Sequence, residues 1–188
     1  MRFEKEIKAA AERHNIPCAL LTAQVEQESS FNPSAVSPCG ARGLLQLMPL
    51  TGREMGLMTD ADFFDPEKNL NAGAGYLRRQ YKGVKFLIPS LKGNNACIED
   101  DHWMMALAAY NGGLGYVYGA IHLCLEDHIS IRWANVSFML RDLRCMVRGK
   151  HPDYKQINNY VEKIFTNYKN NSPQSPLKLR GEAEGGAL

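Results

Sequence analysis

The chain has no apolar run approaching the length of a membrane span, and residues 1–8 (Met1-Arg2-Phe3-Glu4-Lys5-Glu6-Ile7-Lys8) lack the hydrophobic centre of a signal peptide. Synthesis in the cytoplasm without membrane insertion is the expectation. It also lacks a cysteine framework. Cys18, Cys39, Cys97, Cys124 and Cys145 are odd in number and contain no Cys-x-x-Cys pair, so at least one is unpaired in a monomer. Reduced thiols are expected, with one disulfide left open. Charge of one sign is missing too: 22 basic against 20 acidic residues leave a net charge of +2 and no basic block. Nucleic acid is therefore not the implied partner. The isoelectric point near 8.2 favours, without requiring, an anionic polymer such as a bacterial wall. No Gly-rich phosphate loop of P-loop or dinucleotide type occurs, and no cofactor is expected. No segment alternates as a strand would, and there is no internal repeat.

What remains is helical periodicity. Phe3, Ile7, Ala10 and Ala11 predict a helix over 3–13, and a second helix runs over 17–29 with Pro17 at its first position. A turn-rich loop follows, punctuated by Pro33, Ser34, Ser37, Pro38, Gly40 and Gly43, and Leu44 to Met48 is too short to assign. A short helix is expected near 50–55. Asp65-Pro66 reads as an N-cap followed by proline at the first helical position, opening a helix to about Tyr81 with a Leu70, Ala74, Leu77, Tyr81 stripe. Residues 82–99 read as a loop. Helices are then expected over 101–110, capped by Asp100 or Asp101, over 114–126, over about 136–147, and over 154–168 with Ile157, Tyr160, Val161, Ile164 and Phe165 inward. From Asn170 the composition turns to Asn, Ser, Pro, Gly and charge. The expected organisation is one domain over 1–169 and a flexible tail over 170–188. The fold class is mainly α, a single compact helical domain with a substrate groove.

Glu28 is the residue on which chemistry converges. Leu21, Val25 and Glu28 fall at i, i+4 and i+7, so the carboxyl lies on the apolar side of its helix and near the negative end of the helix dipole. Desolvation and dipole both disfavour the ionised form, which raises a carboxyl toward the range where it donates a proton near neutral pH. The plain alternative is a carboxylate that caps the chain or pairs with an arginine.

Four separated blocks carry a resemblance. They are Glu28-Ser29-Ser30-Phe31-Asn32-Pro33 with Ala35-Val36-Ser37 and Gly40-Ala41-Arg42-Gly43-Leu44-Leu45-Gln46-Leu47-Met48-Pro49; Phe64-Asp65-Pro66-Glu67-Lys68-Asn69-Leu70-Asn71-Ala72-Gly73-Ala74-Gly75-Tyr76-Leu77; Ala108-Ala109-Tyr110-Asn111-Gly112-Gly113; and Tyr160-Val161. In this order the chain resembles the soluble lytic transglycosylases, the Slt-type catalytic domains of glycoside hydrolase family 23 in the lysozyme-like superfamily. The resemblance implies a peptidoglycan lyase in which Glu28 alone protonates the oxygen between N-acetylmuramic acid and N-acetylglucosamine and then acts as base. The muramic acid C6 hydroxyl attacks its own anomeric carbon and leaves a 1,6-anhydro end. Ordinary glycosidases use two carboxylates. Here Glu26 points to another side of the helix, while Asp60, Asp62, Asp65 and Asp101 stay open as possible neighbours.

The same resemblance implies that Ser37 orients Glu28, that Gln46 and Met48 line the groove, that Tyr110 and Asn111 contact sugar, and that Tyr160 hydrogen-bonds near the acid. Gly43 permits a close backbone approach, Gln46 can donate and accept, and Met48 offers a soft face for sugar rings. Structural alternatives stand beside each: a core aromatic for Tyr160, a helix cap for Asn111, a core position for Met48. Asn71, Gly73 and Gly75 are expected to serve packing. The sequence departs from the family with Leu45 in place of methionine and with Asn111-Gly112-Gly113 in place of Asn-Ala-Gly.

Rival readings are a hydrolytic goose-type muramidase and a non-catalytic, peptidoglycan-binding virion component. A metal centre at His122, Cys124, Glu126 and His128 is disfavoured because only His122 and Glu126 share a helix face. A Cys-His peptidase lacks a nucleophile context. The expected partner is the glycan strand of peptidoglycan and the expected state a monomer. The expected setting is a phage protein carried by the virion or released with a holin, or a bacterial wall enzyme if a signal peptide precedes it.

Overall fold

The computed structural model describes residues 2–88 and 99–172. Among these the chain forms α1 (Glu4–His14), α2 (Cys18–Ser29), α3 (Pro49–Glu54), a 3-10 turn (Ala61–Phe63), α4 (Pro66–Leu87), α5 (Glu99–Gly112), α6 (Leu114–Glu126), α7 (Trp133–Met139) and α8 (Tyr154–Asn171). Beta pairing among the described residues is confined to isolated bridges: Val36 with Arg42, Arg42 with Leu47, and Val147 with Lys150. The chain is mainly α, as its periodicity predicts. It divides into two compact units, Met1–Gly75 with Glu162–Leu188, and Tyr76–Val161.

In the first unit α1 carries Glu4 and Glu6 in its first turn and Arg13 and His14 in its last, matching the helix dipole at both ends. It packs on α2 through Ile7, Ala10 and Ala11. Pro17 does not enter α2 but caps it at ψ 123°, its carbonyl accepting the N–H groups of Leu20 and Leu21. Leu20, Leu21 and Val25 are fully buried, each contributing about 1.5–3 kcal/mol by removal from water. Leu44 to Leu47, left unassigned by the sequence, is a tight turn whose Leu44, Leu45 and Leu47 side chains enter the core. Asp65 caps α4 as predicted, its Oδ1 accepting the Lys68 N–H at 2.9 Å.

In the second unit the sequence reading stops α4 too early. The helix continues to Leu87 because Val84 is fully buried and Gly83, within the stretch read as a loop, is the face on which Leu114 packs. Asp101 is not a cap of α5. It lies inside the helix, 7% exposed, where Oδ1 accepts the Trp133 N–H at 3.0 Å and Oδ2 pairs with Arg132, pinning the start of α7. The helix expected over 136–147 ends at Met139, and turns follow in which Cys145 N–H bonds the Asp142 carbonyl. Gly112 stays helical against Ile157, and Gly113, at φ 104°, turns the chain into α6. Ile157, Tyr160 and Val161 are buried on α8, as are Ile164 and Phe165 on its first-unit portion. That helix runs through Asn171. Residues 89–98 of the expected loop and 173–188 of the expected tail lie outside the described residues.

Candidate active site

Glu28 occupies the last turn of α2, which holds no basic residue, and is half-buried beside Leu21 and Val25. The turn is tightened by the Ser29 hydroxyl, which donates to the Val25 carbonyl at 3.2 Å, and by the Ser30 N–H, which donates to the Glu26 carbonyl at 2.9 Å. Ser30 and Phe31 then adopt successive left-handed conformations, φ 49° and 59°. Non-glycine residues adopt that region at a cost of roughly 1–2 kcal/mol each. Strain of this size therefore lies two and three residues after Glu28.

The other acids left open by the sequence as neighbours of Glu28 have separate occupations. Asp60 pairs with Arg42 at 2.9 Å, Asp65 caps α4, and Asp101 holds α7. Asp62 accepts the Met58 and Thr59 N–H groups and pairs with Lys68. The Lys68 ammonium, then the backbone donor of Thr59, hold its carboxyl well below the usual range. Glu26 is exposed and receives a 3.4 Å bond from Asn167.

The loop after α2 is built by backbone pairing. Arg42 and Leu47 exchange both N–H to carbonyl bonds at 3.0 Å, closing a turn over Gly43 to Gln46, and Gly43 N–H bonds the Ala35 carbonyl at 2.9 Å. Ser37 accepts the Ala41 N–H on its Oγ at 3.0 Å, which leaves the hydroxyl proton to be donated. Gln46 is left-handed, φ 44°, and its Nε2 donates to the carbonyls of Ala35 at 3.2 Å and Gly43 at 2.9 Å. Both partners are acceptors, so the amide nitrogen must face them. Gln46 therefore keeps only its carbonyl for a ligand, where the sequence suggested both donor and acceptor. Met48, the N-cap residue of α3, is 44% exposed, so the core alternative is excluded. Gly43 does make a close approach, but to this chain: a Cβ there would strike the Phe63 carbonyl and the Asn69 amide.

In the second unit Tyr110 and Asn111 lie in the last turn of α5. The half-buried Tyr110 ring stands 4.9 Å from that of Tyr76, tilted by 60°. Asn111 Oδ1 is buried and has no hydrogen-bond partner among the described residues. Tyr160 is 6% exposed. Cys124 is buried while His122, Glu126 and His128 are exposed, so these four do not converge. Among the described residues no His, Cys, Asp and Glu cluster suits a metal. A depression of about 460 Å³ lined by Met55, Leu57, Met58, Thr59, Asp62 and Lys68 contains none of the predicted site residues.

Sequence reasoning missed Asn69. Its side chain is 1% exposed and makes three backbone bonds: Nδ2 to the carbonyls of Phe63 at 2.9 Å and Arg42 at 3.1 Å, and Oδ1 from the Leu45 N–H at 2.8 Å. A signal was present, since Asn69 lies four residues before Gly73, which packs against the Leu45 side chain. Asn71, Gly73 and Gly75 serve packing as expected. Asn71 Oδ1 bonds Arg13 and His14 at 3.0 Å each, and Gly75 faces Met55 and His14.

The model of the Transglycosylase SLT domain matches residues 5–123. Membrane-bound lytic murein transglycosylase F of Alcanivorax borkumensis is 39% identical over 118 residues, 63% of this chain and 23% of that protein. The protein of that name from Desulfosudis oleivorans is 33% identical over 175 residues, 89% of this chain and 36% of that protein. The chain thus spans well under half the length of these relatives. The 70 kDa soluble lytic transglycosylase of Escherichia coli shares the fold with a TM-score of 0.63 at 24% identity, over 89% of this chain and 23% of that one. With the family's match covering more than half of its residues, this chain belongs to the Transglycosylase SLT domain family.

Proposed function

We propose that this chain is a peptidoglycan lytic transglycosylase with Glu28 as its single acid and base. Glu28 gives its proton to the oxygen joining N-acetylmuramic acid to N-acetylglucosamine, and the bond from the anomeric carbon to that oxygen breaks. The resulting carboxylate takes the proton of the muramic acid C6 hydroxyl as its oxygen bonds the anomeric carbon. A 1,6-anhydro end forms and no water is consumed. One observation carries this reading: in a chain of the Transglycosylase SLT domain family, Glu28 ends an apolar stripe and sits half-buried in the last turn of α2. Half-burial and the helix's negative end both favour a carboxyl that keeps its proton until substrate needs it. The left-handed residues after it supply stored strain of the kind that gathers at active sites.

The remaining residues take roles suited to their surroundings. Ser37 donates its free hydroxyl proton toward the acid. The Gln46 carbonyl and the exposed Met48 receive sugar, one by hydrogen bonding and one by apolar contact with ring faces. Asn111 Oδ1, buried at a cost of about 1–3 kcal/mol when unpartnered, accepts a sugar donor beside Tyr110. The enzyme acts as a monomer on wall glycan, carried by a virion or released with a holin. Phage structural or holin genes beside its own would support that route, and a wall-synthesis cluster would overturn it.

The test is Glu28→Gln. The variant should fold and bind glycan but release no anhydromuropeptides from purified sacculi, and undiminished turnover rejects the assignment. Mass spectrometry of wild-type products separates the rival hydrolase, whose fragments carry one added water and a reducing end.

A further inference from the structure

We propose that Asn69 is a positioning residue for this reaction, holding the Gly43 to Gln46 turn in the one register that presents Ser37, Gln46 and Met48 to substrate. The inference rests on the Glu28 reading above. Asn69 spends both amide hydrogens and one acceptor position on backbone groups of two different segments, Arg42 just before the turn and Leu45 within it, and Phe63 behind it. The Arg42 carbonyl it grips is also the acceptor for Leu47 N–H, so that one oxygen ties α4 to the closure of the turn. Through Gly43 and Gln46 the constraint passes to the Ala35 carbonyl, and from there to Ser37, two residues on.

The backbone bonds of the turn, the Arg42–Leu47 exchange and the Gly43 N–H to the Ala35 carbonyl, run within the loop itself, whereas those of Asn69 tie it to α4. Gln46 is left-handed without being glycine, and among the described residues its side-chain bonds run to carbonyls of the same loop. Leu44 and Leu45 anchor it by burial, which is non-directional. The Asn69 bonds are directional and come from the first turns of a long helix. Loss of them leaves the leucines buried while the polar atoms of Gln46 and Ser37 shift, and misplacement by about 1 Å can lower turnover about 100-fold.

Asn71 provides a matched control. It lies two residues away on the same helix and also ties α4 to another segment, but its bonds go to Arg13 and His14 on α1. With solubilised glycan strands, counting all cleaved products, N69A should lower kcat by about two orders of magnitude with a small change in KM. N71A should lose thermal stability while keeping kcat near wild type, each protein being assayed well below its unfolding midpoint. Equal losses of kcat in N69A and N71A, or wild-type kcat in N69A, would overturn the assignment. N69D covers the case in which N69A does not fold. Its carboxylate keeps the bond from Leu45 N–H but opposes the Arg42 and Phe63 carbonyls, and protonation returns one donor. Its activity relative to wild type should therefore rise as pH falls, and a flat ratio sinks the proposal. Wild-type products with reducing ends would remove the transglycosylase reading alone, whereas inactive wild type would remove both.

Discussion

The carbonyl oxygen of Phe63 lies where a side chain on Gly43 would have to begin. That oxygen is also the acceptor of a 2.9 Å bond from Asn69 Nδ2, so it cannot retreat without breaking the contact that holds the turn. Gly43 is at φ 78°, a second and independent reason for glycine there. Close approach at this glycine serves the internal joint between the loop, the 3-10 turn and α4.

Gly43→Ala should therefore be among the most damaging single-methyl additions in the molecule. Left-handed strain of about 1–3 kcal/mol adds to overpacking of similar size against a backbone atom. Urea unfolding is expected to show a loss of about 3 kcal/mol or more on those grounds, with glycan cleavage falling further than the residual folded fraction explains. A variant within experimental error of wild type would mean that Phe63 and Asn69 yield easily.

Acid should loosen the second unit through Asp142. Arg144 hydrogen-bonds this carboxylate at 2.9 Å and also reaches Asp127 at 2.8 Å. The guanidinium bond, with the Arg144 backbone N–H second, holds Asp142 at about 2 against an ordinary 3.8. Because the folded value is depressed, the stabilisation is complete above the unfolded value and is lost as pH falls from about 4 to about 2. Thermal midpoints measured across that window should fall less steeply for Asp142→Asn than for wild type. Parallel curves would show that the pair contributes nothing to the acid response.

The cysteines should divide by burial. Cys18 and Cys39 are exposed, whereas Cys124 and Cys145 are buried free thiols. Burial, with a smaller contribution from Asp127, pushes Cys124 up to about 11, and burial likewise raises Cys145. At mildly alkaline pH little thiolate exists at either buried position, and thiolate is the reactive species. Iodoacetamide labelling followed by mass spectrometry should modify Cys18 and Cys39 in the native protein, and Cys124 and Cys145 only after denaturation. Rapid native labelling of Cys124 would contradict the packing of α6.

Much of this molecule was legible from short-range pattern. The Leu21, Val25, Glu28 spacing located the acid on the apolar side of α2, and Asp65-Pro66 marked the start of α4 to the residue. Such features depend on neighbours within one or two helical turns, whose geometry every α-helix shares. Glycine and aspartate were harder to read. Gly83 fell in a stretch read as loop and Asp101 looked like a cap, yet distant partners, Leu114 for one and Arg132 with Trp133 for the other, give them different work.

By itself, then, the sequence determined helical class, the order of the helices, the family and the position of one carboxyl on one helix face. Tertiary structure alone decided that Gln46 presents a carbonyl, that Met48 is at the surface, that four aspartates are committed elsewhere, and that Asn69 is the joint beneath the loop. The physical reason is that periodicity reports which way a side chain points. The hydrogen-bond valence it has left over depends on groups that only folding brings within reach.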